Sequence, residues 1–163
     1  MKYCLDANTL IEAHRRYYAL ETFPVFWSWL LENTENLGSI GAVYRELTFS
    51  GDALSDWAKT HKQSGFFRFD DEDEAVQLNY IEVVNTIDRD PYYSPEEKAN
   101  FLRGADPWLI AYATTHNLLL ITHERKVGLG SKKVKIPNVC EAFQVECIDT
   151  FTMLRQEQAV FSR

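Results

Sequence analysis

Short apolar runs alternating with longer segments of helical periodicity predict an α/β fold, three layers deep, with helices on both faces of a mostly parallel sheet. Three observations carry this reading. Leu118-Leu119-Leu120-Ile121-Thr122 is an unbroken apolar run of the kind found in strands buried on both faces. Tyr3-Cys4-Leu5 is a second such run, and it passes through a tight turn into a helical pattern. The 163 residues, 45% of them hydrophobic, suffice for one core and leave no room for a second domain, so 1–163 reads as a single domain.

Taken in order, the opening strand is followed by a helix over 9–18, with Leu10, Ile11, Ala13 and Tyr17 at helical spacing. A strongly aromatic helix over 23–31 starts near Pro24 and fades at Asn33; core packing explains it better than a substrate platform. The stretch 37–41 forms a short strand or turn feeding a helix over 42–47, and a further helix covers 53–62. Phe66-Phe67-Arg68-Phe69 is a candidate strand. Helices over 75–87 and 96–103 flank the break marked by Pro91 and Pro95. Asp106-Pro107 opens the clearest helix, 108–116, which precedes the apolar strand at 118–122. The Gly-rich, basic stretch 125–135 is a loop, and 145–148 is a last strand before a terminal helix capped near Asp149.

The charge balance narrows the function. Seventeen Lys and Arg against 24 Asp and Glu give a net charge of −7, whereas nucleic-acid binding usually draws on a basic surface. Part of the excess lies in Asp70-Asp71-Glu72-Asp73-Glu74, expected to be a solvated loop or helix start. A metal site would account for more. No basic leader with a long apolar stretch and no uncharged membrane-length window occurs, so a cytoplasmic protein without membrane contact is expected. Cys4, Cys140 and Cys147 lack zinc-ligand spacing and suit reduced thiols.

Ligands of parallel sheets bind beyond the carboxyl ends of the strands, the position that Asp6 and Glu124 take in sequence. Asp106 and Glu46 start or lie in helices that share that rim. Each has a plain alternative: Asp106 before Pro107 is an ordinary N-cap pair, Asn8 or Thr9 with Glu12 makes a capping box, and Glu46 and Glu124 are polar surface positions. Together they ask for more, because carboxylates converging to about 5 Å repel by roughly 3 kcal/mol per pair at an effective dielectric of 20. A bound Mg²⁺ or Mn²⁺ supplies the reason, since hard cations take carboxylate oxygens and bridge to phosphate. The four histidines, His14, His61, His116 and His123, have no zinc-site spacing.

Four segments, in order, resemble the PIN domain: Leu5-Asp6-Ala7-Asn8-Thr9-Leu10-Ile11-Glu12, Val43-Tyr44-Arg45-Glu46-Leu47, Ala105 to Ala113 with Asp106-Pro107-Trp108, and Leu120-Ile121-Thr122-His123-Glu124. The nearest branch is an uncharacterised PIN-like family related to the VapC-type toxins of prokaryotic toxin–antitoxin pairs, in which Ile136-Pro137-Asn138-Val139-Cys140 is also familiar. The resemblance implies a PIN-like α/β/α fold and a Mg²⁺- or Mn²⁺-dependent endoribonuclease. Asp6, Glu46, Asp106 and Glu124 would be the acidic metal-binding set, with Asn8 and Thr122 in support. VapC-type toxins commonly carry an aspartate near the fourth position, where this chain has His123-Glu124. RNA is the implied substrate, with DNA as the other candidate; an antitoxin and a second copy in a homodimer are the implied protein partners.

For substrate contacts, the loop after Glu124 offers Arg125, Lys126, Lys132, Lys133 and Lys135, and the first helix offers His14, Arg15 and Arg16. Two other functions stay open. Asp6-Ala7-Asn8-Thr9 also looks like the nucleophile loop of haloacid-dehalogenase-like phosphatases, but Asn8 stands where a second acid would protonate the leaving group. A non-catalytic PIN scaffold would use the acidic surface and the 23–31 helix to bind a partner.

Overall fold

The computed structural model describes residues 1–69 and 72–161. Five parallel strands form one sheet in the order β3-β2-β1-β4-β5: β1 Tyr3–Leu5, β2 Leu37–Ile40, β3 Phe67–Arg68, β4 Leu119–Ile121 and β5 Cys147–Ile148. Central β1 pairs Tyr3 with Leu37 on one side and with Leu119 on the other. All three of its residues are fully buried, as a strand covered on both faces demands.

The helices between the strands are α1 Ala7–Glu12, α2 Pro24–Glu32, α3 Gly41–Leu47, α4 Ala53–Thr60, α5 Glu74–Arg89, α6 Pro95–Arg103, α7 Asp106–His116 and α8 Ile136–Ala142; α9 Thr150–Gln156 follows β5. Right-handed crossovers put the helices that precede β3 on one face and those between β3 and β5 on the other. The packing agrees, α1 against α3 and α5 extensively against α7. The expected three-layer α/β/α architecture with a parallel sheet is what forms. Among the described residues, no helix is long and apolar enough to cross a membrane.

Several local expectations change. The first helix begins at Ala7, because Asp6 leaves β1 in extended conformation and caps the helix itself through the Asn8 N–H. The capping box from Asn8 or Thr9 to Glu12 therefore does not form, and Ala13–Tyr17 continues as a π-helix. Asp106 is not a cap either: the N-cap is Ala105, and Asp106 lies in the first helical turn. The helix expected over 53–62 stops at Thr60, and the outer strands are short, with β5 pairing only two residues against Leu120 and Ile121. In the acidic run, Asp73 caps α5 while Asp70 and Asp71 lie outside the described residues. Phe26, Trp27 and Leu30 of the aromatic helix are buried, which removes them from any partner surface.

Gly38 holds β2 and β3 together. A Cβ there would stand 2.5 Å from the Phe66 carbonyl oxygen, inside the closest approach of real atoms. Gly38→Ala is expected to cost about 1–3 kcal/mol through this overpacking, lowering the melting temperature by several degrees. A calorimetric melt checks it, and an unchanged midpoint would deny the close approach.

Candidate active site

The chain leaves β1 toward β2 and β3 on one side and returns to β4 and β5 on the other. Neighbouring strands whose connections depart in opposite directions open a crevice beyond their carboxyl ends. Asp6 directly follows β1 and Thr122 directly follows β4, so both stand at that opening. Asp106 reaches the same rim from the start of α7, because a helix antiparallel to the strands begins at their carboxyl edge.

Asp6 is 1% exposed and firmly held. Its Oδ1 accepts the Asn8 N–H at 3.2 Å, and its Oδ2 accepts the Thr122 hydroxyl at 3.1 Å. Beneath it, the Asp6 N–H and the Thr9 hydroxyl both donate to the Ile121 carbonyl at 3.0 Å, tying the ends of β1 and β4. Thr122 Oγ1 in turn accepts the Glu124 N–H at 3.1 Å. Burial pushes the Asp6 carboxyl up to about 7, against the pull of the Asn8 and Thr122 hydrogen bonds; the charges of Glu124 and Glu46 act with burial.

Asp106 is the most perturbed acid. Burial first, and then the charges of Asp6, Glu124 and Glu46, push it up to about 8, with Lys135 pulling the other way. Its side chain has no hydrogen-bond partner among the described residues. The charges of Glu46 and Glu124 thus reach both Asp6 and Asp106, a proximity that separate helix caps do not explain. Asp6 is both a cap and a member of this group.

Glu46 and Glu124 are differently placed. Glu46 is exposed on α3, with Oε2 at 3.4 Å from the Ala105 N–H, a long contact that joins α3 to the start of α7. Glu124 is engaged at both oxygens: Oε1 accepts from Lys135 Nζ at 2.8 Å and Oε2 accepts the Ile136 N–H at 2.8 Å. Among the described residues, no group of three or more His, Cys, Asp or Glu side chains is arranged, as it stands, to hold a metal ion. The chemistry of the donors does fit one. They are carboxylate and hydroxyl oxygens, which favour a hard cation, and the raised Asp106 marks negative charge that a divalent ion would relieve.

The predicted basic contacts divide. Arg125 and Lys126 line a cleft of about 570 Å³ with Thr122, Glu124 and Tyr17, although Lys126 is also paired with Glu141 at 2.6 Å. Lys132 and Lys133 are exposed on the loop and are not among the walls of that cleft. Arg15 and Arg16 are exposed on the π-helical segment, and the charge of Arg15 acts on Asp52. Asn8 is exposed at its side chain and serves Asp6 through its backbone. His123 is a packing residue, bonded to Thr150 Oγ1 at 2.8 Å, 3.5 Å from Glu12 and stacked on Tyr17.

Two features escaped the sequence reading. Lys135 is one of several loop cations in the sequence; only the fold brings it against Glu124. A second cleft, of about 660 Å³, is lined by Glu46 together with Phe49, Arg103, Gly104 and Trp108. The sequence signal for it was the Arg103-Gly104 pair just before Ala105-Asp106.

Comparison with known proteins adds a family and a fold. The family described as a domain of unknown function (DUF4411) matches residues 3–161. No curated protein matches the chain. Among solved structures, the chain is similar to one in the crystal structure of VapBC2 from Rickettsia felis bound to a DNA fragment from their promoter. The TM-score is 0.52 and the identity 14%, over 91% of this chain and 98% of that one. A likeness at this identity establishes the shared fold alone.

Proposed function

The chain belongs to the DUF4411 family, a domain of unknown function, and on that premise we propose that it is a metal-dependent nuclease hydrolysing phosphodiester bonds. The observation that carries this reading is the Asp106 carboxyl, without a hydrogen-bond partner among the described residues and pushed up to about 8 by burial and by Asp6, Glu124 and Glu46 at the switch point of the sheet. Such a concentration of negative charge destabilises a fold unless a ligand repays it. RNA is the preferred substrate, as in the VapC-like toxins that the motifs resemble. A cognate antitoxin and a second copy of the chain are the proposed protein partners; the structural neighbour is itself a VapBC2 assembly on DNA.

Asp6, Glu46 and Asp106 would hold Mg²⁺ or Mn²⁺, which when bound lowers the pKa of an attacking water and stabilises charge on the leaving oxygen. The chain supplies the geometry. Thr122 and the Asn8 N–H fix the Asp6 carboxylate so that it does not have to be ordered when substrate arrives. Glu124 holds Lys135, whose charge acts on Asp106, so its ammonium would offer a cation to a scissile phosphate beside that aspartate.

This division of labour departs from a four-acid ligand set, and it is testable. Glu124→Gln is expected to keep Mn²⁺ affinity within about threefold yet slow cleavage about tenfold, as loss of a supporting contact does. Lys135→Met should slow cleavage about 10- to 100-fold, and the double variant should be little worse than Lys135→Met alone, because the two act as a unit. A large loss of Mn²⁺ affinity in Glu124→Gln would put Glu124 back among the ligands. The function itself is tested by incubating the protein with single-stranded and structured RNA and DNA in Mg²⁺, Mn²⁺ or EDTA, beside Asp6→Asn and Asp106→Asn. Cleavage that needs the metal and both aspartates is expected.

A further inference from the structure

We propose that the cleft between α3, α6 and α7 is a subsite that takes one unpaired nucleotide of a single-stranded RNA, beside the acidic centre. The proposal rests on the nuclease reading for the identity of the substrate, but on separate residues for its binding. The cleft shares Glu46 with the acidic group, and the Glu46 contact with the Ala105 N–H joins two of its walls. Ala105 lines the cleft and Asp106 follows it in the chain, so the cleft adjoins the acidic group.

The walls have the composition that single-stranded nucleic acid selects, namely aromatic faces for bases and guanidinium groups for phosphates. Phe49 is 94% exposed at the end of α3, an arrangement that packing does not explain. Trp108 is braced by Tyr80, stacked at 3.9 Å and 18°, which fixes the indole in place. Arg103, exposed on α6, adds positive charge to the wall of the cleft in a protein whose net charge is −7. The volume, about 660 Å³, is in the range of small-ligand sites.

Gly104 is an independent indication. Its backbone is extended and open to any residue, and a Cβ would meet nothing nearer than the Phe101 carbonyl oxygen at 3.7 Å. Neither strain nor packing requires glycine here. What the missing side chain does is leave the cleft wall open. A base that is paired in a duplex has its faces covered by its neighbours, so the subsite selects unpaired RNA.

The test uses a single-stranded RNA of about ten nucleotides carrying 2-aminopurine, whose fluorescence falls when the base stacks on an aromatic ring. Binding is followed with Ca²⁺ in place of Mg²⁺, and cleavage is measured separately. Quenching is expected with the wild type, with about tenfold weaker binding in Phe49→Ala and in Gly104→Val, which fills the cleft without altering charge. Both variants should melt like the wild type, and the same oligonucleotide in a duplex should not be quenched. Equal binding by wild type and both variants, equal binding of duplex, or no binding of single strand by the wild type would each overturn the subsite. Quenching that depends on Phe49 and Gly104 in a protein that cleaves nothing would uphold the subsite and remove the nuclease reading. Cleavage untouched by either variant would do the reverse.

Discussion

Asp106→Asn is expected to cleave RNA about 10³-fold more slowly than the wild type in Mn²⁺, and to melt at a higher temperature than the wild type when metal is removed. The first effect follows from losing a charged oxygen on a divalent ion, worth several kcal/mol in the transition state, at 1.4 kcal/mol for each tenfold in rate. The second follows from the state of the carboxyl itself. With burial and three neighbouring acids opposing its charge, Asp106 destabilises the metal-free fold near pH 8. An amide of the same shape removes that repulsion and should raise the midpoint by a few degrees. Asp6→Asn should slow cleavage as much but gain less stability. Its Oδ2 accepts the Thr122 hydroxyl while Thr122 accepts the Glu124 N–H, and an amide NH₂ cannot replace that acceptor. Activity assays beside thermal melts separate the two effects; wild-type cleavage rates in both variants would mean the site is elsewhere.

The metal-free protein should lose stability as pH rises from about 5 to 8, by on the order of 10–20 °C in melting temperature. The unfolded carboxyls titrate near 3.9, whereas folded Asp6 and Asp106 titrate at about 7 and about 8. Between these values the folded state holds protons that the unfolded state has released. Its advantage is complete below about pH 4 and disappears as pH climbs through the folded values. Among the other shifted groups, Cys147 is lowered from its alkaline value by a hydrogen bond with Cys140 and acts in the opposite sense toward the upper edge of this window. Asp52, Asp149 and Glu157 are held low by hydrogen bonds, so their contributions vanish only in more acid solution, and Lys2 and Lys135 are raised from an already alkaline value. Mn²⁺ competes with those protons, so its stabilising effect should grow with pH. Melts in EDTA and in Mn²⁺ across this range provide the check; a midpoint that climbs steadily with pH in EDTA would contradict it.

The parts of this fold that were legible in the sequence are those set by local pattern. Tyr3–Leu5 and Leu119–Ile121 are apolar without interruption because both faces of their strands are covered, and Asp6 drew attention because it follows such a run directly. Helix starts were less legible. Pro107 after Asp106 suggested a cap, but proline is accepted at either of the first two helical positions, and Asp106 proved to be inside the helix, where its side chain makes no capping bond. Asp6 took the cap assigned to Asn8 or Thr9 because the chain turns into helix without a linker.

The pairing of Glu124 with Lys135 could not be read at all. It is made by a loop that folds back over eleven positions with no periodicity to betray it, and any of the loop's cations would have matched as well. The cleft at Phe49, Arg103 and Trp108 has the same origin, since its walls come from three helices that only tertiary packing brings together. Local sequence points to candidate acids, and long-range packing decides what surrounds them.

Metal binding by the acidic group is the central claim, and a Mn²⁺ titration followed by electron paramagnetic resonance tests it without reference to any substrate. Near pH 8 the wild type is predicted to bind Mn²⁺, with affinity lowered more than about tenfold in Asp6→Asn and in Asp106→Asn and little changed in Glu124→Gln. A wild type that binds no Mn²⁺, or aspartate variants that bind it equally well, would contradict the account.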